Sequence, residues 1–280
     1  MSRDDIGNEA TPTYTMGYGP EFRKMLERRN AADCARHLLP QLKPGMRLID
    51  LGCGPGTISV GLADAVAPGQ LLGIDMEPTQ IEMASAAAQA GGHGNAAFQT
   101  GDATDLPFDD ATFDVAYCHA LLNHAPDTQA VLGEVKRVLK PGGLFAAREV
   151  IGDSSLIEPA LTFGGVGEGA GWATFLKLLA ANGGHPQMGK ELKAAFVEAG
   201  FADVRATASF ESYDTADDLA FLHGLVNGWF FAPKTMGAAI GLGLASEEQF
   251  EGWRRSLDEW VDESGAFAAF AWGEAIGRKL

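Results

Sequence analysis

The segment from Arg47 to Thr57, Arg-Leu-Ile-Asp-Leu-Gly-Cys-Gly-Pro-Gly-Thr, limits the folds open to this chain more than any other. A short apolar run ends at Asp50-Leu51 and passes through glycines at alternate positions, Gly52, Gly54 and Gly56. It then meets a stretch with helical periodicity from Thr57 to Val66. Short apolar runs bounded by glycine read as buried strands, and the longer periodic stretch reads as a helix. Glycine lets the backbone turn sharply and lets a ligand approach the main chain. The helix start that follows offers unpaired N–H groups. Strand, glycine turn and helix form the first part of a βαβ unit, although a loop of this kind alone also fits an ordinary turn or a dinucleotide fold.

The alternation continues along the chain. Strands are expected at 71–75, 96–100, 113–118 and 144–150, with helices at 78–90 and 128–139 and a turn at Lys140-Pro-Gly-Gly. Such alternation specifies a parallel, doubly wound sheet. Upstream, the spacing predicts one helix over 20–39 after a polar tail. Downstream, helices are expected at 172–181, 190–199, 216–231 and 246–262, the last opened by a Ser246/Gln249 capping box. Strands are expected at 201–213 and 265–276, pairing with each other. The fold class is therefore α/β, a Rossmann-like, doubly wound, mostly parallel seven-stranded sheet with an antiparallel last strand and a helical cap. It divides into a tail and lid helix (1–39), a ligand-binding core (40–151) and a remainder (152–280) with cap insertions at about 153–187 and 214–263.

Charge narrows the partners. The 37 acids against 21 bases give a formal net charge of −16. That field repels phosphate backbones and anionic lipid, so neither nucleic acid nor membrane insertion is expected. The three cysteines (Cys34, Cys53 and Cys118) lie far apart with no C-x-x-C pair, which fits neither a disulfide framework nor a zinc site, and no metal is expected. The N-terminus has no apolar signal-peptide core, so the expected location is cytoplasmic.

Two more acids join the glycine loop. Asp75 ends the second strand, and Gly101-Asp102-Ala103 follows the third. With Asp50 they fall at the C-terminal edge of parallel strands, where open α/β sheets bind ligands. A carboxylate at Asp75 can accept from both hydroxyls of a ribose, and one at Asp102 from an exocyclic amine. A lone strand-end Asp is more often a turn former or cap. Three in register with a glycine loop are not well explained that way.

The runs DLGCGPGT, GIDMEP, GDATDLPFDDATFDVAYC and VLKPGGLF together resemble class I S-adenosylmethionine-dependent methyltransferases, in the branch of the ubiquinone- and menaquinone-biosynthesis enzymes. The resemblance is specific over about 40–151 and weak beyond. It implies S-adenosylmethionine as cofactor and S-adenosylhomocysteine as product. It implies that Asp50, Gly52, Cys53 (through its backbone), Gly54 and Gly56 surround the amino-acid part of the cofactor. Asp75 would take the ribose and Met76 would pack on adenine. Gly101, Asp102 and Ala103 would meet the adenine ring and amine. Cys118 and His119 would lie closest to the sulfonium, and Tyr14, Tyr18 and Arg29 would fold over the cofactor from the N-terminal side.

Methyl transfer from a sulfonium is an in-line displacement that needs positioning and exclusion of water more than side-chain chemistry. Where the nucleophile must lose a proton, His119 and His124 are the candidate bases; each could equally be a packing histidine. His185 and His223 in the cap either reach the substrate or serve structure, and Arg148 and Glu149 either contact substrate or form an ion pair. Phe163, Trp172, Phe175 and Trp229-Phe230-Phe231 suit a flat apolar acceptor or form the core of the cap. The last three cannot all face inward from one helix, which leaves a homodimer contact open. The expected activity is methylation of O, C or N on a small aromatic, quinone-like or polyketide-like molecule. A nicotinamide-dependent oxidoreductase, an aminopropyltransferase and a catalytically inactive cofactor-binding accessory protein are the competing classes.

Overall fold

The computed structural model describes Met16, residues 19–165 and residues 167–280. Its frame is a seven-stranded sheet of β1 (Leu48–Leu51), β2 (Leu71–Asp75), β3 (Ala96–Thr100), β4 (Phe113–His119), β5 (Leu139–Glu158), β6 (Ala202–Tyr213) and β7 (Phe267–Arg278). Across the sheet the order is β3-β2-β1-β4-β5-β7-β6. The first five strands are mutually parallel, and β7 runs antiparallel between β5 and β6. This is the architecture expected from the sequence. The chain winds outward from β1 to β3, then returns to pair β4 on the other side of β1. That reversal opens a crevice beyond the ends of β1 and β4.

Helices cover both faces, so β1 is buried at every residue. On one face lie α1 (Pro20–Arg28), α2 (Ala31–Cys34), α3 (Thr57–Val66) and α4 (Pro78–Gly91). There Leu38, Leu62 and Val66 pack on Leu48, Tyr117 and Ala146. On the other face α5 (Thr128–Val138) and α7 (Met188–Glu198) pack Val131, Val135, Leu192 and Phe196 against Leu51, Cys118 and Phe145. Each large side chain so buried contributes about 1.5–3 kcal/mol. A third cluster belongs to the cap of α6 (Gly171–Ala181), α8 (Ala216–Trp229), α9 (Pro233–Gly241) and α10 (Glu247–Trp260), where Phe163, Phe175, Phe230, Phe250 and Trp253 interlock.

Four details differ from the sequence expectation. The single helix over 20–39 is broken. Arg29 is extended (φ −68°, ψ 147°), and the Asn30 side chain accepts from the Asp33 N–H to start a new turn. A local cap thus overrides an apolar period that runs on past it. Strand β5 extends beyond 144–150 at both ends: Leu139 pairs with Phe113 of β4, and at the far end β7 offers a long antiparallel partner as far as Glu158, interrupted by a register shift between Val150 and Ser155. Helix α9 was not foreseen; its Gly237 and Gly241 dilute the helical pattern. Finally, Trp229, Phe230 and Phe231 are all buried. The helix stops at Trp229, so the next two rings turn into the cap core rather than continuing around a cylinder. The cap aromatics are therefore not a surface that argues for a dimer.

Candidate active site

The glycine loop leaves β1 with Gly52, Gly54 and Gly56 all at positive φ (67°, 53° and 79°). Two of these glycines do different work. A Cβ on Gly56 would stand 2.8 Å from the Ala84 Cβ, so this glycine lets α3 approach α4. A Cβ on Gly54 would meet only Gln80 Oε1, at 3.8 Å, so its backbone faces open space. Asp50 is buried behind the loop and accepts from the Ser59 hydroxyl of α3 at 2.5 Å, which ties the strand end to the helix. Burial pushes its carboxyl up to about 7, against the lowering effect of Ser59. The Cys53 thiol is buried and, chiefly for that reason, raised far above the thiol range, so it is inert, as its flanking glycines suggest.

Asp75 links the loop to β2. Its Oδ2 accepts from the Gly54 N–H at 2.9 Å and its Oδ1 from the Glu77 N–H at 3.0 Å. Desolvation raises its pKa, with these donors opposing. Beside it Met76 is 69% exposed, a large apolar side chain held out over the strand ends. Asp102 is exposed after β3; its Oδ1 accepts from the backbone and hydroxyl of Thr104, both at 2.8 Å. Ala103 next to it is buried.

Two cavities open beyond these strand ends. The smaller, about 310 Å³ with part open to solvent, is lined by Gly52–Pro55, Asp50, Thr57, Leu26, Arg29 and His119. The larger, about 950 Å³ and also partly open, lies between the sheet and α1, α6 and α8. Its walls are mainly apolar, with rings of Phe163, Trp172, Phe175, Trp229, Phe270 and Trp272. Arg29 lines both cavities, and consecutive residues at the end of β4 face one each: His119 the smaller, Ala120 the larger. The Arg29 Nε is buried with no hydrogen-bond partner, and its guanidinium lies 5.6 Å from the Trp272 ring centre.

His119 is stacked on Trp272, and both its ring nitrogens are buried and unpartnered. Burial, followed by the nearby Arg29 and Arg148 charges, holds its pKa well below the imidazole range. His124 lines the larger cavity, and burial, then Arg29, lowers it to about 4. Both rings are neutral at physiological pH and are weak proton acceptors.

Cys118 departs from the expectation. Neighbours on a strand point to opposite faces, so the Cys118 thiol lies on the α5 side, against Glu149, away from both cavities. Arg148 and Glu149 likewise diverge, and no ion pair joins them. Arg148 pairs with Glu274 of β7 (3.6 Å) and lies 4.4 Å from the Trp272 ring centre. Glu149 accepts the backbone N–H groups of Leu121, Leu122 and Asn123 at 3.0, 2.9 and 3.2 Å. It thereby pins the loop after β4, where Ala120 sits at φ 52°. His223 pairs with Asp258 within the cap, and the His185 Nε2 is buried without a partner; neither lines a cavity described above. Tyr14 and Tyr18 lie outside the described residues. Sequence reasoning missed Glu211 and Tyr213 of β6 as cavity residues. Nothing local marks them, since their relation to the site comes from strands far apart in sequence.

Among the described residues no group of three or more His, Cys, Asp or Glu could hold a metal ion. None of the described helices is long and apolar enough to cross a membrane.

Residues 42–163 match the family model described as a methyltransferase domain. Relatives include a 24-methylenesterol C-methyltransferase of Oryza sativa, 37% identical over 155 residues (52% of this chain, 42% of the relative). A demethylmenaquinone methyltransferase of Geobacillus kaustophilus is 34% identical over 129 residues (46% of this chain, 53% of the relative). The chain spans about half the length of the curated relatives it matches. Among solved structures, the YcgJ protein of Bacillus subtilis shares the fold, with a TM-score of 0.57 at 22% identity, covering 92% of this chain and 97% of that one. Residues 42–163 of this chain thus match a methyltransferase domain, set in a fold shared with the YcgJ protein.

Proposed function

We propose that the protein transfers a methyl group from S-adenosylmethionine to a small, largely apolar acceptor held in the cavity under the cap. The observation that carries this reading is the junction of the two cavities at Arg29 and the end of β4. A chamber walled by glycine backbone and Asp50 adjoins an aromatic one there, which suits a polar donor meeting an apolar acceptor.

The residues present fit the cofactor. The open face at Gly54 leaves room for a ligand against the backbone, and the unpartnered Arg29 Nε and Gln80 Oε1 are buried polar atoms in want of a partner. Asp75 would accept from the ribose hydroxyls, Met76 would cover the adenine, and Asp102 with Gly101 and Ala103 would meet its edge. Gly52, Cys53, Gly54 and Gly56 would surround the amino-acid portion, with Asp50 holding the loop from behind. Arg29 would neutralise its carboxylate. The cofactor supplies a methyl group on a sulfonium whose sulfur keeps the bond pair on departure. The chain's own part is to align the acceptor, exclude water and fix the loop after β4 through Glu149. With His119 and His124 neutral and weakly basic, a proton lost by the acceptor passes to solvent. Oxygen, carbon and nitrogen acceptors all enter the screen, since relatives named for a sterol and for a quinone precursor match at similar identity.

Calorimetry with S-adenosylmethionine and S-adenosylhomocysteine, with NADPH as control, tests the cofactor. Micromolar binding of both sulfur ligands is expected, and binding of NADPH alone would overturn the reading. Release of S-adenosylhomocysteine with phenols, quinols, sterols or apolar amines then separates an enzyme from an inactive binding protein.

A further inference from the structure

The larger cavity carries one carboxylate, Glu211, on an otherwise mainly apolar wall. Its Oε1 accepts from the Tyr213 hydroxyl at 2.8 Å. Among the described residues no lysine or arginine forms an ion pair with it. Arg148 feels its charge, yet the Arg148 guanidinium is occupied by Glu274 and Ser209. A half-buried carboxylate without a cation is costly to keep beside aromatic rings unless something offsets its desolvation. Here Tyr213 and Phe270 stand edge to face, with ring centres 6.0 Å apart, and Phe270 is directly opposite Glu211 in the ladder.

The sheet fixes where this carboxylate lies. His119 pairs with Arg148, Arg148 with Glu274 and Glu274 with Thr207, which makes one row across four strands. Glu211 is four residues beyond Thr207 on β6, about 13 Å along the strand at 3.3 Å per residue. The Glu211 backbone therefore lies beyond that row, while its charge still reaches Arg148 and Cys34. The other charged group in the cavity wall, Arg29, belongs to the cofactor side as well and would be neutralised there. What remains for the acceptor is a negative charge among ring faces, a combination that favours an organic ammonium. The net charge of −16 adds to the attraction for a cation.

We propose that the acceptor is an apolar amine, whose ammonium group is held by Glu211 and the surrounding rings. This rests on the methyltransferase reading, because it takes the larger cavity as the acceptor site. Glu211 is then a specificity residue, and it takes no part in the transfer.

The test uses three matched probes: naphthylbutylamine, naphthylbutanol and naphthylbutanoic acid. Trp172, Trp229 and Trp272 line the cavity and supply the fluorescence signal. Titrations are run with and without saturating S-adenosylhomocysteine. The amine is expected to bind about tenfold or more tightly than the alcohol, and the acid most weakly. Glu211→Gln should bring amine and alcohol within about twofold of each other while leaving S-adenosylhomocysteine affinity, read by calorimetry, within about twofold of wild type. An amine no better than the alcohol, or a preference that survives Glu211→Gln, overturns the proposal. Tightest binding by the acid also overturns it and makes Arg29 the reader. Absence of S-adenosylhomocysteine binding with the amine preference intact would instead sink the methyltransferase reading and leave the ammonium site standing.

Discussion

His119 lies against Trp272 with ring centres 4.7 Å apart and planes inclined by 29°. One ring comes from the last residue of β4 and the other from β7, and each lines one of the two cavities. The pair forms part of the boundary between donor and acceptor space, and its value is as a surface. His119→Phe, which keeps a ring and removes both nitrogens, should leave turnover within about threefold and S-adenosylhomocysteine affinity unchanged. A loss of turnover greater than about a hundredfold with affinity intact would restore His119 as a general base.

The Asp75 carboxylate is expected to carry the ribose. Asp75→Ala should weaken S-adenosylhomocysteine binding by about tenfold or more, or ~1.4 kcal/mol. Because Asp75 also holds the Gly54 N–H, Asp75→Asn is the sharper variant. It keeps one acceptor oxygen, and affinity between wild type and alanine is expected by calorimetry.

Gly54 and Gly56 are two residues apart, and their alanine variants should fail differently. Gly56→Ala forces a methyl group to 2.8 Å from Ala84 at φ 79°, so stability should fall by about 1–3 kcal/mol in urea. Gly54→Ala carries backbone strain but no clash, and its methyl enters the space where a ligand would lie. Its main loss should appear in S-adenosylhomocysteine affinity.

The Glu149 carboxyl is buried, and desolvation raises its pKa to about 7 despite three backbone donors. A folded-state pKa above the unfolded value means that the native state holds the proton longer. The stability this group contributes is present below the unfolded value of about 4.3 and is lost as pH rises through 7. Glu149→Gln removes the titration. The stability difference between wild type and this variant should therefore shift against wild type from pH 4 to pH 8, by up to about 4 kcal/mol. Denaturant melts across that range check it, and a constant difference would show that Glu149 is not raised.

The glycine loop, the strand-end acids and the first five strands were legible because each is a local pattern. Apolar runs, helical spacing and glycine all act within a few residues. The break at Arg29-Asn30 was not legible, since Arg29 and Ala32 keep the helical spacing of Phe22, Met25 and Leu26 across it and only the Asn30 cap overrules them. Cys118 was misplaced because the sequence placed it at the right strand end without saying which face it would take. The alternation that separates it from His119 becomes decisive only when the faces have been assigned by packing. Glu211 was invisible for a related reason. Its meaning depends on Phe270 and on the His119 row, which lie on other strands. A single acid in a half-exposed strand carries no mark of that company.

Helix α1 is fastened at both ends of the site. The Leu26 carbonyl accepts from the Thr57 hydroxyl at 2.9 Å, while Arg28 pairs with Asp218 at 2.5 Å and stands 4.2 Å from the centre of the Phe221 ring. Glu21 fills the notch that Gly228 leaves in α8. These anchors are 190 residues apart in the chain for Arg28 and Asp218. On a ribosome working at about 5–20 residues per second, α1 waits roughly 10–40 s for the α8 surface it will close upon. The roof of the chamber is synthesised well before the α8 surface on which it closes. Until then the rings of Phe163, Trp172 and Phe175 stand uncovered, and a nascent chain stalled before α8 would expose them.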